Sequence, residues 1–301
     1  MIKPVRYDTP LSGGRVLRLG ERTLLMGILN ITPDSFADGG VHFDAGRAIA
    51  AGLRMVDDGA DILDIGGEST RPGADEVGAD EEMRRVLPVI EGLARQTDAV
   101  LSIDTYKAVV AREAVGRGAS MINDISGLQY DRLLGEVAAD TGAALVLMHT
   151  RGRSRTMYEF AEYQDVVREV VEELGTAIGR ATAAGVSREA IILDPGFGFA
   201  KKAEHSYTLL ARLPELATLG RPILSGPSRK SFLKGPIGER LPAEREWATA
   251  AAVTTSVLGG AHIVRVHGVK EMRDVVRVAD RVREEFGEEL RKARQGPFSP
   301  L

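Results

Sequence analysis

No cysteine occurs among the 301 residues. That absence excludes disulfides, thiolate zinc sites, iron–sulfur clusters and cysteine nucleophiles together. Histidine is scarce as well. The five, at positions 42, 149, 205, 262 and 267, show neither HxH nor HExxH spacing, which argues against a zinc site. A dominant charge of one sign is also missing. With 39 Lys and Arg against 43 Asp and Glu the formal net charge is −4, so no global field draws the chain to nucleic acid or to an anionic membrane. Any anionic ligand must then be held by local positive groups. No segment approaches the roughly 18 continuous apolar residues of a membrane span. The opening residues MIKPVRYDTP lack the apolar core of a secretory signal, so the expected location is the cytoplasm. Linkers, charge blocks and low-complexity stretches are absent too, and one domain over residues 1–301 is expected. A chain of this size buries about three quarters of its unfolded surface and needs neither disulfide nor structural metal.

What is present is alternation. Apolar, β-rich runs occur at Leu24–Leu29, Ile62–Ile65, Val100–Ile103, Ser120–Ile122, Ala144–Met148, Ile191–Leu193, Pro222–Leu224 and His262–Val266. Between them lie amphipathic patterns at helical spacing: 45–58, 81–93, 107–115, 133–139, 163–183, 207–213, 247–258 and 275–286. Strand, helix, strand repeated in this way means right-handed βαβ units and a parallel sheet. Eight units in about 250 residues is the size and count of a (β/α)8 barrel, the TIM barrel. A doubly wound sheet is the alternative, disfavoured because no Gly-rich dinucleotide turn follows the first strand. Residues 1–22 precede the first strand, and within them Arg15–Arg22 is expected to form a hairpin plugging the barrel's N-terminal mouth.

In such barrels chemistry sits at the C-terminal ends of the strands. Here nearly every run ends in polar residues: Asn30, then Thr32 to Ser35; Gly66 to Gly73, with Thr70 and Arg71; Asp104; Asn123 and Asp124; His149; Asp194; Ser225, then Ser228 to Ser231; and Arg265 with His267. Taken singly, a strand-end Asp or Asn is more often a helix cap, and the Gly-rich stretches are ordinary turns. His149 reads equally well as a structural residue. Capping does not explain why so many polar ends converge on one mouth.

The residue types indicate the ligand. Arg265 and His267, two apart on a strand, face the same way, and Arg229 and Lys230 lie in the loop before them. The ends of strands seven and eight are the recurrent phosphate site of this fold. Asp104, Asn123 and Asp194 offer acceptors to something flat and rich in N–H donors, such as a 2-amino-4-oxo pyrimidine edge, whose carbonyl Lys230 could reach. Mg2+ suits such a ligand, because phosphates supply most of its oxygens; Asn30 is the candidate protein donor. The loops 31–40 and 67–79, rich in Gly, Pro and small polar residues, read as lids.

Seven segments carry a resemblance: MGILNITPDSFADGG (26–40), DILDIGGESTRPGA (61–74), SIDTYKA (102–108), INDISG (122–127), DPGFGF (194–199), SRKSF (228–232) and RVH (265–267). In this order and spacing, over about residues 22–285, they resemble the signatures of the dihydropteroate synthases, pterin-binding barrel enzymes of folate synthesis. The resemblance implies condensation of 6-hydroxymethyl-7,8-dihydropterin pyrophosphate with p-aminobenzoate, sulfonamide sensitivity as a family trait, and a homodimer, for which the apolar face of Ala250–Leu258 is a candidate. It implies that Asn30 binds Mg2+, that Thr70 contacts the pyrophosphate region, and that Arg71 sits near the aminobenzoate. Asp104, Asn123, Asp194 and Lys230 would hold the pterin, Ser228 and Phe199 would lie by the aminobenzoate, and Arg265 and His267 would bind the departing pyrophosphate. Catalysis would rest on Asp104, Asp34, Arg71 and Lys230, through a pterin cation. Two departures stand out: Gly268 follows RVH where the family usually has Asp, and the fifth-strand loop reads MHTRGRSRTM (148–157), with extra arginines. A methyltetrahydrofolate-dependent methyltransferase domain and a non-catalytic pterin-binding paralogue are the alternatives.

Overall fold

The computed structural model describes residues 5–32, 37–38, 42–69 and 73–295. The chain opens with an antiparallel hairpin, β1 (Tyr7–Pro10) against β2 (Val16–Leu19). The expected hairpin lay within 15–22. Its first strand is instead upstream, because the turn falls at Ser12–Gly14, where Gly13 and Gly14 take φ of 74° and 76° at no steric cost. Strand β3 (Leu24–Asn30) follows, and then a small antiparallel ribbon of β4 (Ala37–Asp38) and β5 (His42–Phe43).

The remaining strands are β6 (Ile62–Gly66), β7 (Val100–Asp104), β8 (Met121–Asp124), β9 (Ala144–Met148), β10 (Ile191–Asp194), β11 (Leu224–Ser225) and β12 (Ile263–Val266). With β3 they form one parallel sheet of eight strands in the order β10-β9-β8-β7-β6-β3-β12-β11. A parallel bridge from Leu193 to Ile223, with the Leu193 amide donating to the Pro222 carbonyl at 2.9 Å, links the two ends of that order. The sheet therefore curls into a nearly closed barrel.

Helices cover it outside: α1 (Ala45–Asp57), α2 (Ala79–Ala94), α3 (Ala108–Gly116), α4 (Leu133–Thr141), α5 (Val166–Ala183), α6 (Ala203–Ala211), the single turn α7 (Lys234–Ile237), α8 (Glu246–Leu258) and α9 (Val269–Gln295). Caps set their starts. Asp165 accepts from the Val167 and Arg168 amides, so α5 begins at Val166 and not at Tyr163 as its apolar pattern suggests.

Two apolar layers result from strand alternation. Leu25, Leu63, Leu101, Ile122, Leu145 and Leu193 pack outward against the helices. Leu24, Met26, Ile62, Val100, Met121, Val146, Ile192 and Ile263 fill the lower barrel, where Leu11, Leu17 and Leu19 of the hairpin join them. Each leucine so buried stabilises the plug by about 1.5–3 kcal/mol. His262 fastens the hairpin's lead-in, its Nε2 lying 3.0 Å from the Val5 carbonyl and its ring edge-on to Tyr7. With the bottom sealed by hydrocarbon, the upper barrel is left for polar groups.

Candidate active site

The same alternation that points Ile62, Val100, Met121, Ile192 and Ile263 inward also points Asp64, Ser102, Asn123, Asp194 and Arg265 inward, one step higher. Register then aligns strand ends: Asn30 pairs with Gly66, Gly66 with Asp104, and Asp104 with Asn123 across four neighbouring strands. Sequence-expected residues from six strands or their loops thus meet at one mouth.

Arg265 is the hub. Its Nε donates to Asp64 Oδ2 at 2.6 Å and its Nη2 to Asp104 Oδ2 at 2.7 Å. Asn123 Nδ2 donates to the same Asp64 oxygen at 2.9 Å, while Asp64 Oδ1 is buried without a partner among the described residues. Sequence reading missed Asp64, although it lies two residues before Gly66 and so shares its inward parity. Burial pushes the Asp104 carboxyl up to about 7, against the pull of Arg265 and with the like charge of Asp64 adding to it. Burial also raises Asp194, opposed by Lys230. Asp194 Oδ1 accepts from the Gly196 amide at 2.7 Å, and among the described residues no hydrogen bond uses Oδ2, which can accept from a ligand donor.

Lys230 reaches over from the loop after β11. Its ammonium donates to the Phe197 carbonyl and lies 4.3 Å from the centre of the Phe199 ring, and burial pulls it down to about 8. Ser228 and His267 form a pair at the β12 edge: Ser228 Oγ lies 3.0 Å from His267 Nδ1 and accepts from the His267 amide at 3.2 Å. Arg229 does not join the expected cationic end. It is held in an ion pair by Glu246 on α8.

Both sequence departures find local causes. A side chain at Gly268 would start 3.0 Å from a Glu271 carboxylate oxygen and 3.4 Å from one of Glu246, so an Asp there would add a third like charge. The extra arginines are engaged close by. Arg151 bonds Glu169 and Glu173 and stacks 4.1 Å from Tyr163; Arg153 pairs with Glu76 at 2.8 Å over the Tyr130 ring; Arg155 lies 3.6 Å from Asp75. His149, which the sequence left open, is buried between Glu173 and Lys201. Asp34, Thr70 and Arg71 lie outside the described residues.

Asn30 offers a half-buried carboxamide at the end of β3. Among the described residues no group of three or more His, Asp or Glu could hold a metal ion. This donor set suits a Mg2+ ion that arrives with a diphosphate and takes only one or two protein oxygens.

Residues 26–267 match the family of pterin binding enzymes. The chain belongs to that family. A dihydropteroate synthase of Synechocystis is 47% identical over 275 residues, 91% of this chain and 95% of the relative. A Xanthomonas albilineans dihydropteroate synthase solved with 4-aminobenzoic acid superposes with a TM-score of 0.85 at 44% identity, covering 91% of this chain and 98% of that one. A structure of the X. albilineans enzyme in complex with 7,8-dihydropteroate gives 0.81 at 42% identity over the same shares. As a pterin-binding enzyme with synthase relatives along nearly its whole length, the chain is a transferase of folate synthesis. None of these three relatives is a methyltetrahydrofolate-dependent methyltransferase.

Proposed function

We propose that the pterin-binding mouth takes 6-hydroxymethyl-7,8-dihydropterin pyrophosphate and p-aminobenzoate and gives 7,8-dihydropteroate and pyrophosphate. The observation that carries this reading is the inward set of Asp64, Asp104, Asn123 and Asp194 facing Arg265 and Lys230. Such a set offers more carboxylate oxygens than the protein's own donors use, which suits a flat ring with adjacent N–H groups.

Asp194 accepts from the ring's amino and N–H donors, Asn123 and Asp104 border the ring, and Lys230 donates to its carbonyl oxygen. His267 and Arg265 lie at the phosphate end, and Phe199 and Ser228 border the aminobenzoate; the roles proposed for Thr70 and Arg71 are contact with the pyrophosphate and with the aminobenzoate. The bond from the pterin's methylene carbon to the pyrophosphate oxygen breaks, and its electron pair leaves with pyrophosphate. The aromatic amine then gives its lone pair to the methylene carbon and afterwards loses a proton. An electron-rich dihydropterin spreads the positive charge that develops, and Asp104, with Asp34, stabilises it electrostatically. Asn30 would hold a Mg2+ ion, which would supply charge neutralisation to the leaving diphosphate.

The amine is a weak nucleophile and the chain has no cysteine with which to help it. Assistance must come from the electrophile, so p-aminobenzoate should bind productively only once the pterin and diphosphate positions are filled. Titrating p-aminobenzoate against the free protein, and then against protein with Mg2+, pyrophosphate and a dihydropterin, tests this order. Binding is expected in the second titration alone; equal affinity in both would sink the ordered mechanism and favour a preformed pocket with direct displacement. Pyrophosphate and dihydropteroate released from the two substrates by purified protein test the activity itself.

A homodimer of this chain in the cytoplasm completes the reading. The face of α8 proposed for it changes, because Val253 and Val257 are buried in the core. What α8 leaves outside is Trp247, 89% exposed, with Ala251 and Thr255 one and two turns on, and the adjoining α9 leaves Val278 and Val282 exposed. Sedimentation of the intact protein and of Trp247→Glu is expected to give a dimer and a monomer; a monomeric parent chain would overturn it.

A further inference from the structure

Lys201 lies just beyond the loop that follows β10 and is 2% exposed, with its ammonium inside the protein. An ammonium has three protons to donate and no acceptor. Three acceptors surround this one: His149 Nδ1 at 2.7 Å, the His149 carbonyl at 3.3 Å and the Phe199 carbonyl at 3.0 Å. Burial pulls the Lys201 amine well below its usual value, so the tautomer is set from the other side by the Glu173 carboxylate, which only accepts: His149 Nδ1 accepts from Lys201, and the neutral imidazole carries its proton on Nε2. That nitrogen lies 2.9 Å from Glu173 Oε2 on α5. Burial, with the Lys201 charge beside it, holds His149 down at about 4, so the imidazole is neutral at physiological pH. Glu173, His149 and Lys201 therefore form one polarised chain from the helical layer, past the end of β9, to the loop after β10.

What the chain ends on is a backbone that does not hold itself. Gly196, Gly198 and Ala200 alternate through left-handed φ values of 68°, 74° and 48°, and a side chain at Gly196 would start 2.1 Å from the His149 carbonyl oxygen. Ala200, having a Cβ, is strained in that region by about 1–2 kcal/mol. Tyr163 Oη donates to the Ala200 carbonyl at 3.0 Å, next to the Lys201 bond to Phe199. The same short loop supplies the Phe197 carbonyl that accepts from Lys230 and the Phe199 ring beneath the Lys230 ammonium.

We propose that Lys201 is a positioning residue for the aminobenzoate side of the site, holding the 195–200 loop through His149 and Glu173 so that Phe199 and Lys230 are presented together. The proposal rests on the reading of Phe199 given above. A lysine that merely fills the fold has no reason to act on one substrate through one ring.

A double-substitution cycle separates the two roles. Lys201→Met, checked for folding by circular dichroism, is expected to raise KM for p-aminobenzoate about tenfold while kcat changes much less. Phe199→Ala raises the same KM, and adding Lys201→Met to it should change KM by no more than about twofold. Effects that multiply in the double variant would overturn the proposal. If Lys201→Met does not fold, Glu173→Gln, whose carboxylate is partly solvent-exposed, carries the same cycle with an expected rise of about threefold. Nitrogen NMR of the unaltered protein gives an independent answer: a proton on His149 Nε2 is expected, and one on Nδ1 would break the chain. Failure of the broader functional reading shows itself separately, as no turnover by the parent protein or an unchanged KM in Phe199→Ala alone.

Discussion

Asn in place of Asp194 is expected to weaken dihydropterin binding by about 2–3 kcal/mol, roughly a hundredfold in dissociation constant, with much less effect on folding. The asymmetry comes from its two oxygens. One accepts from the Gly196 amide at 2.7 Å, and an Asn side-chain oxygen keeps that bond and the turn it closes. The other faces the mouth, where an amide NH2 would meet ring N–H donors with a donor. Calorimetric titration with a phosphate-free dihydropterin, beside a urea unfolding curve, checks both halves. Unchanged affinity in a folded variant would remove Asp194 from the site.

Arg265→Ala should cost folding stability as well as binding. Asp64, fully buried, would lose its only cationic partner among the described residues, and Asp104 would lose the same one. Breaking a buried pair from one side costs about 3–5 kcal/mol. His267→Ala removes the described side-chain hydrogen bond to Ser228 from a half-exposed position, and such a bond is worth about 1 kcal/mol. From the sequence the two residues look like equal halves of an anion site. The expected results differ: Arg265→Ala shifts the denaturation midpoint strongly and weakens phosphate-free pterin, whereas His267→Ala weakens pyrophosphate alone. Similar small shifts in both midpoints would mean that the Arg265 cluster holds no buried charge needing compensation.

The contrast shows which parts of the site are legible in a linear sequence. Asp104, Asn123, Asp194 and Arg265 stand out because each interrupts or ends an apolar run, and strand parity then turns them all inward. Asp64 sits inside DILDIG and reads as strand interior until the alternation is counted from Gly66. Lys201 cannot be told from its neighbour Lys202 by composition; only the fold buries the first and sends the second to Glu162 on the surface. Glu173 falls on an amphipathic helix and reads as a solvated residue. Arg229 shows the reverse error, a cation beside a phosphate-type strand end that a glutamate from α8 already holds. Periodicity suffices for the barrel, whereas the hairpin expected within 15–22 is moved upstream by the Gly13-Gly14 turn. Helix starts depended on single caps such as Asp165, which apolar spacing does not weigh.

Within the upper barrel, Asp64, Asp104 and Asp194 face two cations, Arg265 and Lys230, so the described cluster carries one acid more than it has bases. Burial has already raised Asp104 to about 7 and lifted Asp194 above the ordinary carboxylate range. A ligand that presents N–H donors favours the ionised carboxylates and lowers these values again. Below about 7 pterin binding then expels protons into the solvent and affinity climbs with pH, and above about 8 affinity falls again as Lys230 loses the proton it donates to the ring carbonyl. The heat of binding should accordingly vary with the ionisation enthalpy of the buffer, and the slope of that variation counts the protons released.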